Sequence, residues 1–304
     1  MDTAELLEQI RVLREQAGLV RLDRDVVLAT GDGATEYLQG QLSQEVAGLA
    51  PSQAAWTFVL QPQGKVDAWF RITRLDDTTF VMDIDAGWSG HLIERLERFR
   101  LRTPVEFTTT DWAVTALRGA AMPPPGHPLT PEQGVVVPVE WPGDVGWDVI
   151  GPGVTDGPVE CSPDAMEVLR IEAGRPRMGH ELDESTIPAE AGVVPRSVSF
   201  TKGCYTGQEL VARIDSRGSQ TPRRLVGLRI HGPTAPAVGS PLELDGAEVG
   251  RVTSVAPVSS SGGPVALGYL KRGVDTPVEL SVPSPGGPLA STALALPLAP
   301  SASM

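Results

Sequence analysis

Residues 202–209 gather reactive residue types in one short run: Lys202, Gly203, Cys204, Tyr205, Thr206, Gly207, Gln208 and Glu209. Cys204 is one of two cysteines in the chain, and the run from Glu209 to Ile214 reads as a helix. A thiol at the mouth of a helix sits near unpaired backbone N–H groups and the positive end of the helix dipole. Lys202 adds a full positive charge close by. Both effects favour thiolate over thiol, which would make Cys204 more reactive than an ordinary cysteine. The plainer alternative is a small buried hydrophobe beside a glycine turn, the usual state of a free cysteine.

A chain of 304 residues with 41% hydrophobic residues, 33 Gly and 28 Pro fits a folded protein with many turns. It has room for two domains, or for one large domain with an appendage. No apolar run approaches the roughly 20 residues that span a bilayer. The start Met1-Asp2-Thr3-Ala4-Glu5 is acidic where a signal peptide is basic, so a cytoplasmic protein is expected. Cys161 and Cys204 make no disulfide framework, which suits a reducing compartment.

Against 38 acidic residues stand 25 Lys and Arg, a formal charge of −13, which argues against broad nonspecific nucleic-acid binding. The basic residues are uneven. Between Arg196 and Arg229, seven of them (Arg196, Lys202, Arg213, Arg217, Arg223, Arg224 and Arg229) face only Glu209 and Asp215, a local charge of +5. Such a patch suits a small anionic ligand, and an RNA contact stays open there. A solvated basic face is the commoner explanation of a charge run.

The elements that must position these groups mix helices and strands without regular alternation, which predicts an α+β fold. Asp2 and Glu5 read as a capping box ahead of the stripe Leu6, Ile10 and Leu13. Asp32 is placed to cap a second helix carrying Tyr37, Leu38 and Leu42. Strands are expected at residues 55–60, 66–73 and 79–84. A helix after Ser89 should turn Leu92, Ile93, Leu96 and Phe99 inward. Further strands are expected at residues 105–108, 112–117, 135–139 and 147–150. Residues 119–134 read as a surface loop. Ser162-Pro163-Asp164 starts a helix that should end at Gly174. After Thr221-Pro222 come short strands at residues 225–230, 242–244, 248–255, 265–270 and 278–282, with a final one near 292–298. Asp245-Gly246 marks a hairpin, and this spacing suggests a small antiparallel barrel.

Other site chemistries are missing. There is no Cys-x-x-Cys pair, and His91, His127, His180 and His231 are dispersed, so no dedicated metal site is expected. No phosphate loop of the Gly-x-x-x-x-Gly-Lys type occurs. Gly31-x-Gly33 lacks the third glycine and the βαβ setting of a dinucleotide site.

The octapeptide Lys202–Glu209 resembles the signature of the YgfZ family of folate-binding proteins, relatives of the aminomethyltransferase (T protein) of the glycine cleavage system. Weaker segments occur in the matching order. They are residues 31–42, Gln61-Pro62-Gln63-Gly64-Lys65, Arg170-Ile171-Glu172-Ala173-Gly174, Pro188-Ala189-Glu190-Ala191-Gly192 and residues 266–272. The resemblance implies a T-protein-like fold: residues 1–221 as a folate-binding region of two α+β lobes, 222–299 as a C-terminal antiparallel β-barrel, and 300–304 as a frayed tail.

The resemblance also implies a tetrahydrofolate-binding protein, with that cofactor or a one-carbon derivative of it. Its implied role is to support assembly or repair of iron–sulfur proteins and, through them, tRNA modification. Glu172 and Glu190 correspond to acidic residues of the transferase's folate motifs, and a carboxylate can accept paired hydrogen bonds from a pterin edge. Surface charge is the alternative for either. Arg213, Arg217, Arg223 and Arg224 are candidates for the folate glutamate tail, or surface side chains. Cys204 and Lys202 form the implied reactive centre, together with Asp67, where the transferase places an acid; an outward-facing strand residue is the alternative. Transferases show two adjacent acids there, whereas this chain has Asp67-Ala68. That departure favours an accessory factor acting on iron–sulfur proteins or assembly factors. An aminomethyltransferase and a noncatalytic interaction module are the alternatives.

Overall fold

The computed structural model describes residues 2–120, 134–152, 158–216, 218 and 220–298. Helix α1 (Thr3–Glu15) leads into β1 (Gly18–Leu22), β2 (Arg24–Thr30), α2 (Ala34–Gln41), β3 (Ala54–Leu60), β4 (Val66–Arg74), β5 (Thr79–Asp85) and α3 (Ser89–Glu97). Then come β6 (Glu106–Thr110), β7 (Ala113–Arg118), β8 (Val135–Trp141), β9 (Asp144–Gly151), β10 (Val159–Glu160) and α4 (Pro163–Ala173). A 3-10 turn (Pro188–Ala191), α5 (Val194–Ser197) and α6 (Gln208–Ser216) follow. The chain closes with β11 (Arg223–Ile230), β12 (Pro241–Leu244), β13 (Ala247–Ala256), β14 (Val265–Lys271), β15 (Val278–Val282) and β16 (Leu289–Leu294).

These strands make two five-stranded sheets, in the orders β10-β1-β7-β9-β8 and β3-β4-β5-β2-β6, and a closed barrel in the order β11-β14-β13-β12-β15-β16. Every pairing in the barrel is antiparallel. The α+β fold with a C-terminal antiparallel barrel is thus as the sequence led us to expect. Among the described residues, no helix is long and apolar enough to cross a membrane.

Local chemistry explains the helix boundaries. Asp2 accepts from Glu5 N at 2.8 Å, and Leu6, Ile10 and Leu13 are buried against α4 and the barrel. Each such side chain contributes roughly 1.5–3 kcal/mol through burial. Ser162 caps α4, Pro163 occupies its first turn, and Gly174 closes it in the left-handed region at φ 70°. Over the β3-containing sheet, Tyr37 and Leu38 of α2 and Leu92 and Leu96 of α3 cover Phe70, Ile72, Phe80 and Met82. Glu181, 1% exposed, ties α4 to the barrel by accepting from Arg170 at 3.1 Å, Thr253 at 2.8 Å and Ser254 at 2.6 Å.

Several expectations are corrected. Asp32 does not cap α2; the cap is Gly33, whose N–H reaches Pro104 O at 3.0 Å, so the backbone of the preceding turn sets the helix start. Helix α3 stops at Glu97, which leaves Phe99 48% exposed under the Arg95 guanidinium at 4.6 Å instead of on an inward face. The last strand ends at Leu294, well before residue 298. Strands β1 and β2 were not foreseen, because Arg21, Asp23, Arg24 and Asp25 interrupt their apolar pattern. Most of the expected 119–134 loop and the expected frayed tail lie outside the described residues.

Candidate functional site

Strands β3 and β8 are end strands of their respective sheets, and their outer edges face each other across a cleft of about 460 Å³. That volume falls within the range of ordinary small-molecule sites. Trp56, Arg71, Glu140, Trp141, Arg175 and Arg196 border it. Trp56 lies opposite Arg71 and Phe58 opposite Trp69 in the β3–β4 register, so the two tryptophans are diagonal neighbours. They stack at 4.1 Å and 13°, while Trp141 meets both edge-on at 6.1 Å. Trp69 donates to Ser197 Oγ at 2.9 Å and Trp141 to Ala173 O at 3.0 Å, which fixes both rings. A smaller cavity of about 90 Å³ lies beyond, and Trp56 and Arg175 border both spaces.

A buried ion network supports this floor. Arg71 donates to Asp83 at 2.8 Å and to Asp148 at 2.7 Å, linking the two sheets. Arg118 pairs with Asp144 at 2.5 Å and lies 2.9 Å from Asp148. Arg24 pairs with Asp83 at 2.6 Å and Asp85 at 3.0 Å, and Arg175 with Asp144 at 2.9 Å. Four arginines thus meet four aspartates. Burial opposes charge on Asp148, yet Arg118, Arg71 and Arg175 together hold its carboxyl well below the ordinary 3.8. For Arg175, burial dominates and lowers the guanidinium below its usual range, with Asp144 opposing. The Arg24 and Arg71 guanidiniums lie 5.5 and 5.7 Å from the Trp56 ring centre, and Arg196 lies 5.0 Å from that of Trp141.

Of the side chains singled out in the sequence, Arg196 of the basic run borders this cleft, and the expected catalytic and folate-binding residues do not. Asp67 is 8% exposed and faces α3, pairing with Arg95 at 2.7 Å and His91 at 2.8 Å. Glu172 is taken up in a clamp between α4, α1 and the barrel: it pairs with Arg14 and accepts from Ser260 N and Oγ, each at 2.7 Å. Glu190 and Arg223 are brought together at 2.9 Å, joining the 3-10 turn to β11, and Arg223 lies 4.2 Å from the Tyr269 ring centre. Arg224 donates to Val274 O at 2.7 Å. It borders a groove of about 440 Å³ that adjoins the cleft through Trp141 and Arg196. Arg213 is exposed on α6, and Arg217 lies outside the described residues.

The cysteine loop is organised differently from expectation. Helix α6 begins at Gln208, so a turn through Tyr205 and Gly207 separates Cys204 from it. Lys202 Nζ donates to the carbonyls of Gln39 and Leu42 at 2.5 Å and Gln44 at 3.1 Å, closing the C-terminal end of α2. Burial lowers this amine to about 8, with Glu45 opposing. The helix mouth and the lysine charge therefore act elsewhere, and what the fold gives Cys204 is exposure. Gly207, at φ 82°, presses against Gln61 O and Leu60; an added Cβ would lie 2.5 Å from that oxygen. Gly207→Ala should cost about 1–3 kcal/mol in urea unfolding. An unchanged midpoint would show that the turn yields freely.

Trp56, Arg71, Trp141 and Arg175 escaped the sequence reading because they come from four separate segments. One signal was present: Arg71 follows the apolar run Ala68-Trp69-Phe70 and Asp83 the run Phe80-Val81-Met82, stretches where unpaired charge is not tolerated.

Residues 223–299 match the glycine cleavage T-protein C-terminal barrel domain. The chain is 28% identical over 295 residues to an aminomethyltransferase of Streptomyces avermitilis, covering 85% of this chain and 79% of that protein. It is 27% identical over 218 residues to an uncharacterised protein of Haemophilus influenzae, covering 70% and 74%. In structure it resembles the glycine cleavage system aminomethyltransferase T from Bartonella henselae, with a TM-score of 0.81 at 22% identity, over 97% of this chain and 89% of that one. The chain therefore has the T-protein architecture and carries the T-protein C-terminal barrel domain over residues 223–299.

Proposed function

We propose that the protein binds a reduced folate, tetrahydrofolate or a one-carbon derivative, in the cleft between β3 and β8. The observation that carries this reading is the cleft itself, with tryptophan rings fixed around a space of about 460 Å³ and arginines at its border. A folate is a flat heterocycle with an anionic tail, and the residues present fit both parts. Trp56 and Trp141 supply apolar faces, while Gln44, Gln53 and Glu140 supply acceptors for a heterocyclic N–H edge. Arg196 and Arg224, on the adjoining groove, are suited to the tail carboxylates. In this reading Glu190, Glu172 and Arg223 act through the fold, by joining the barrel to the lobes that frame the cleft.

The finer role is that of an accessory factor, in the cytoplasm, for iron–sulfur proteins or their assembly factors. The exposed Cys204 thiol supports it, since such a thiol is accessible to a partner protein. Similarity to aminomethyltransferases favours a second reading, one-carbon transfer to folate. Against it, Ala68 replaces the second acid, and Asp67 is spent on Arg95 and His91, outside the cleft.

Titration with tetrahydrofolate, followed by tryptophan fluorescence, tests the binding claim. Saturable quenching is expected, and Trp56→Ala should weaken binding by about ten- to a hundredfold, the loss of one stacking face. Equal affinity in a folded Trp56→Ala variant would move the ligand elsewhere. Turnover of an aminomethyl-carrying lipoyl protein would favour the second reading.

A further inference from the structure

Outside the cleft, folding brings together three ligand-type side chains that are far apart in sequence. One donor atom each from Asp67 on β4, His91 on α3 and Glu184 in the loop before the 3-10 turn lie within 4.8 Å of one another. They border a cavity of about 360 Å³, together with Gln61, Gln63 and Arg95. His91 and Arg95 are four residues apart and share one face of α3. Arg95 Nε holds Asp67 Oδ2 at 2.7 Å, which turns the other oxygen, Oδ1, toward His91 Nε2 at 2.8 Å. A carboxylate fixed in this way from behind is the arrangement that outer-shell partners impose on metal ligands. Glu184 makes no ion pair among the described residues, although its carboxylate approaches that of Asp67. Two carboxylates this close repel, and the single charge of Arg95 offsets only one of them.

A second observation concerns a residue that borders the same cavity. Arg95 is 5% exposed, yet its Nη1 has no hydrogen-bond partner, while Nη2 donates to Leu60 O at 3.2 Å. A buried guanidinium N–H without an acceptor is costly, and an anionic ligand would satisfy it. The cavity wall thus carries a cation-binding set and, on Arg95, a buried N–H still without an acceptor.

We propose that Asp67, His91 and Glu184 bind a first-row divalent cation, and that Arg95 Nη1 donates to an oxyanion in the cation's remaining coordination positions. One imidazole and two carboxylates suit Mn²⁺, Co²⁺ or Zn²⁺ better than a soft cation that prefers thiolates. Three protein ligands leave positions open for the anion. The site stands apart from the folate reading and does not depend on it.

The test uses tag-free full-length protein. Calorimetric titration with Zn²⁺ alone, and visible spectra with Co²⁺ alone, should give one ion per chain. His91→Ala and Glu184→Gln should each weaken binding by at least about tenfold, with circular dichroism unchanged. Inorganic phosphate should tighten Zn²⁺ binding in the native protein, and less so in Arg95→Lys, which keeps a charge for Asp67. Absence of binding, or equal affinity in the His91 and Glu184 variants, overturns the cation site. An affinity that phosphate leaves unchanged overturns the role of Arg95.

Discussion

Asp148→Asn should destabilise the protein by about 3–5 kcal/mol, the usual cost of removing one partner from a buried ion pair. Asp148 is 2% exposed and bridges Arg71, on the neighbouring sheet, to Arg118. Asparagine preserves the shape but leaves four arginines, of which Arg71 and Arg118 are buried, facing three aspartates. Guanidinium unfolding should show a lower midpoint with an unchanged slope, because the area exposed on unfolding is the same. The acid response should change as well. The folded-state carboxyl sits below its ordinary 3.8, so the unfolded chain takes up the proton first as pH falls. The stabilisation is therefore complete above that value and is lost as pH drops below it. The native protein should show this acid limb, and Asp148→Asn should lose that part of it. A cost under about 1 kcal/mol would mean that water or rearrangement readily replaces the carboxylate.

If the proposed accessory role holds, Cys204→Ala should abolish support of iron–sulfur enzyme activity while leaving stability and folate affinity near native values. The thiol is exposed, and no hydrogen bond to its sulfur occurs among the described contacts, so the fold loses little with it. The surrounding turn is held by other groups: Lys202 on the α2 carbonyls and Gly207 against Gln61. The measurement is the activity of an iron–sulfur enzyme in cells deprived of this protein and supplied with the variant. Full support by a stably expressed Cys204→Ala protein would remove the thiol from the mechanism. Lys202→Ala gives a contrasting outcome, because it releases three carbonyls at the end of α2 and should lower stability first.

Much of the architecture was legible in the chain. The caps at Asp2 and Ser162 and the closing Gly174 fixed two helices, and Asp245-Gly246 marked a real hairpin between β12 and β13. Such signals act within a few residues, so sequence displays them. The site was legible only in part. The motif around Cys204 was visible, but the use of Lys202 depends on α2, about 160 residues earlier. Glu172 and Glu190 are buried, and their partners, Arg14, Ser260 and Arg223, come from distant elements. The cleft is further removed still, because Trp56 and Trp141 face each other only after two separate sheets have formed. Long-range pairing of this kind leaves no local periodicity to read.

The central claim is that a reduced folate occupies the space between β3 and β8. Crystals soaked with 5-formyltetrahydrofolate test it most directly. The account predicts a pteridine ring against Trp56, with its tail directed toward Arg196 and Arg224. A folate bound at another surface, or a cleft still free of ligand in crystals of a protein that binds folate in solution, would contradict it.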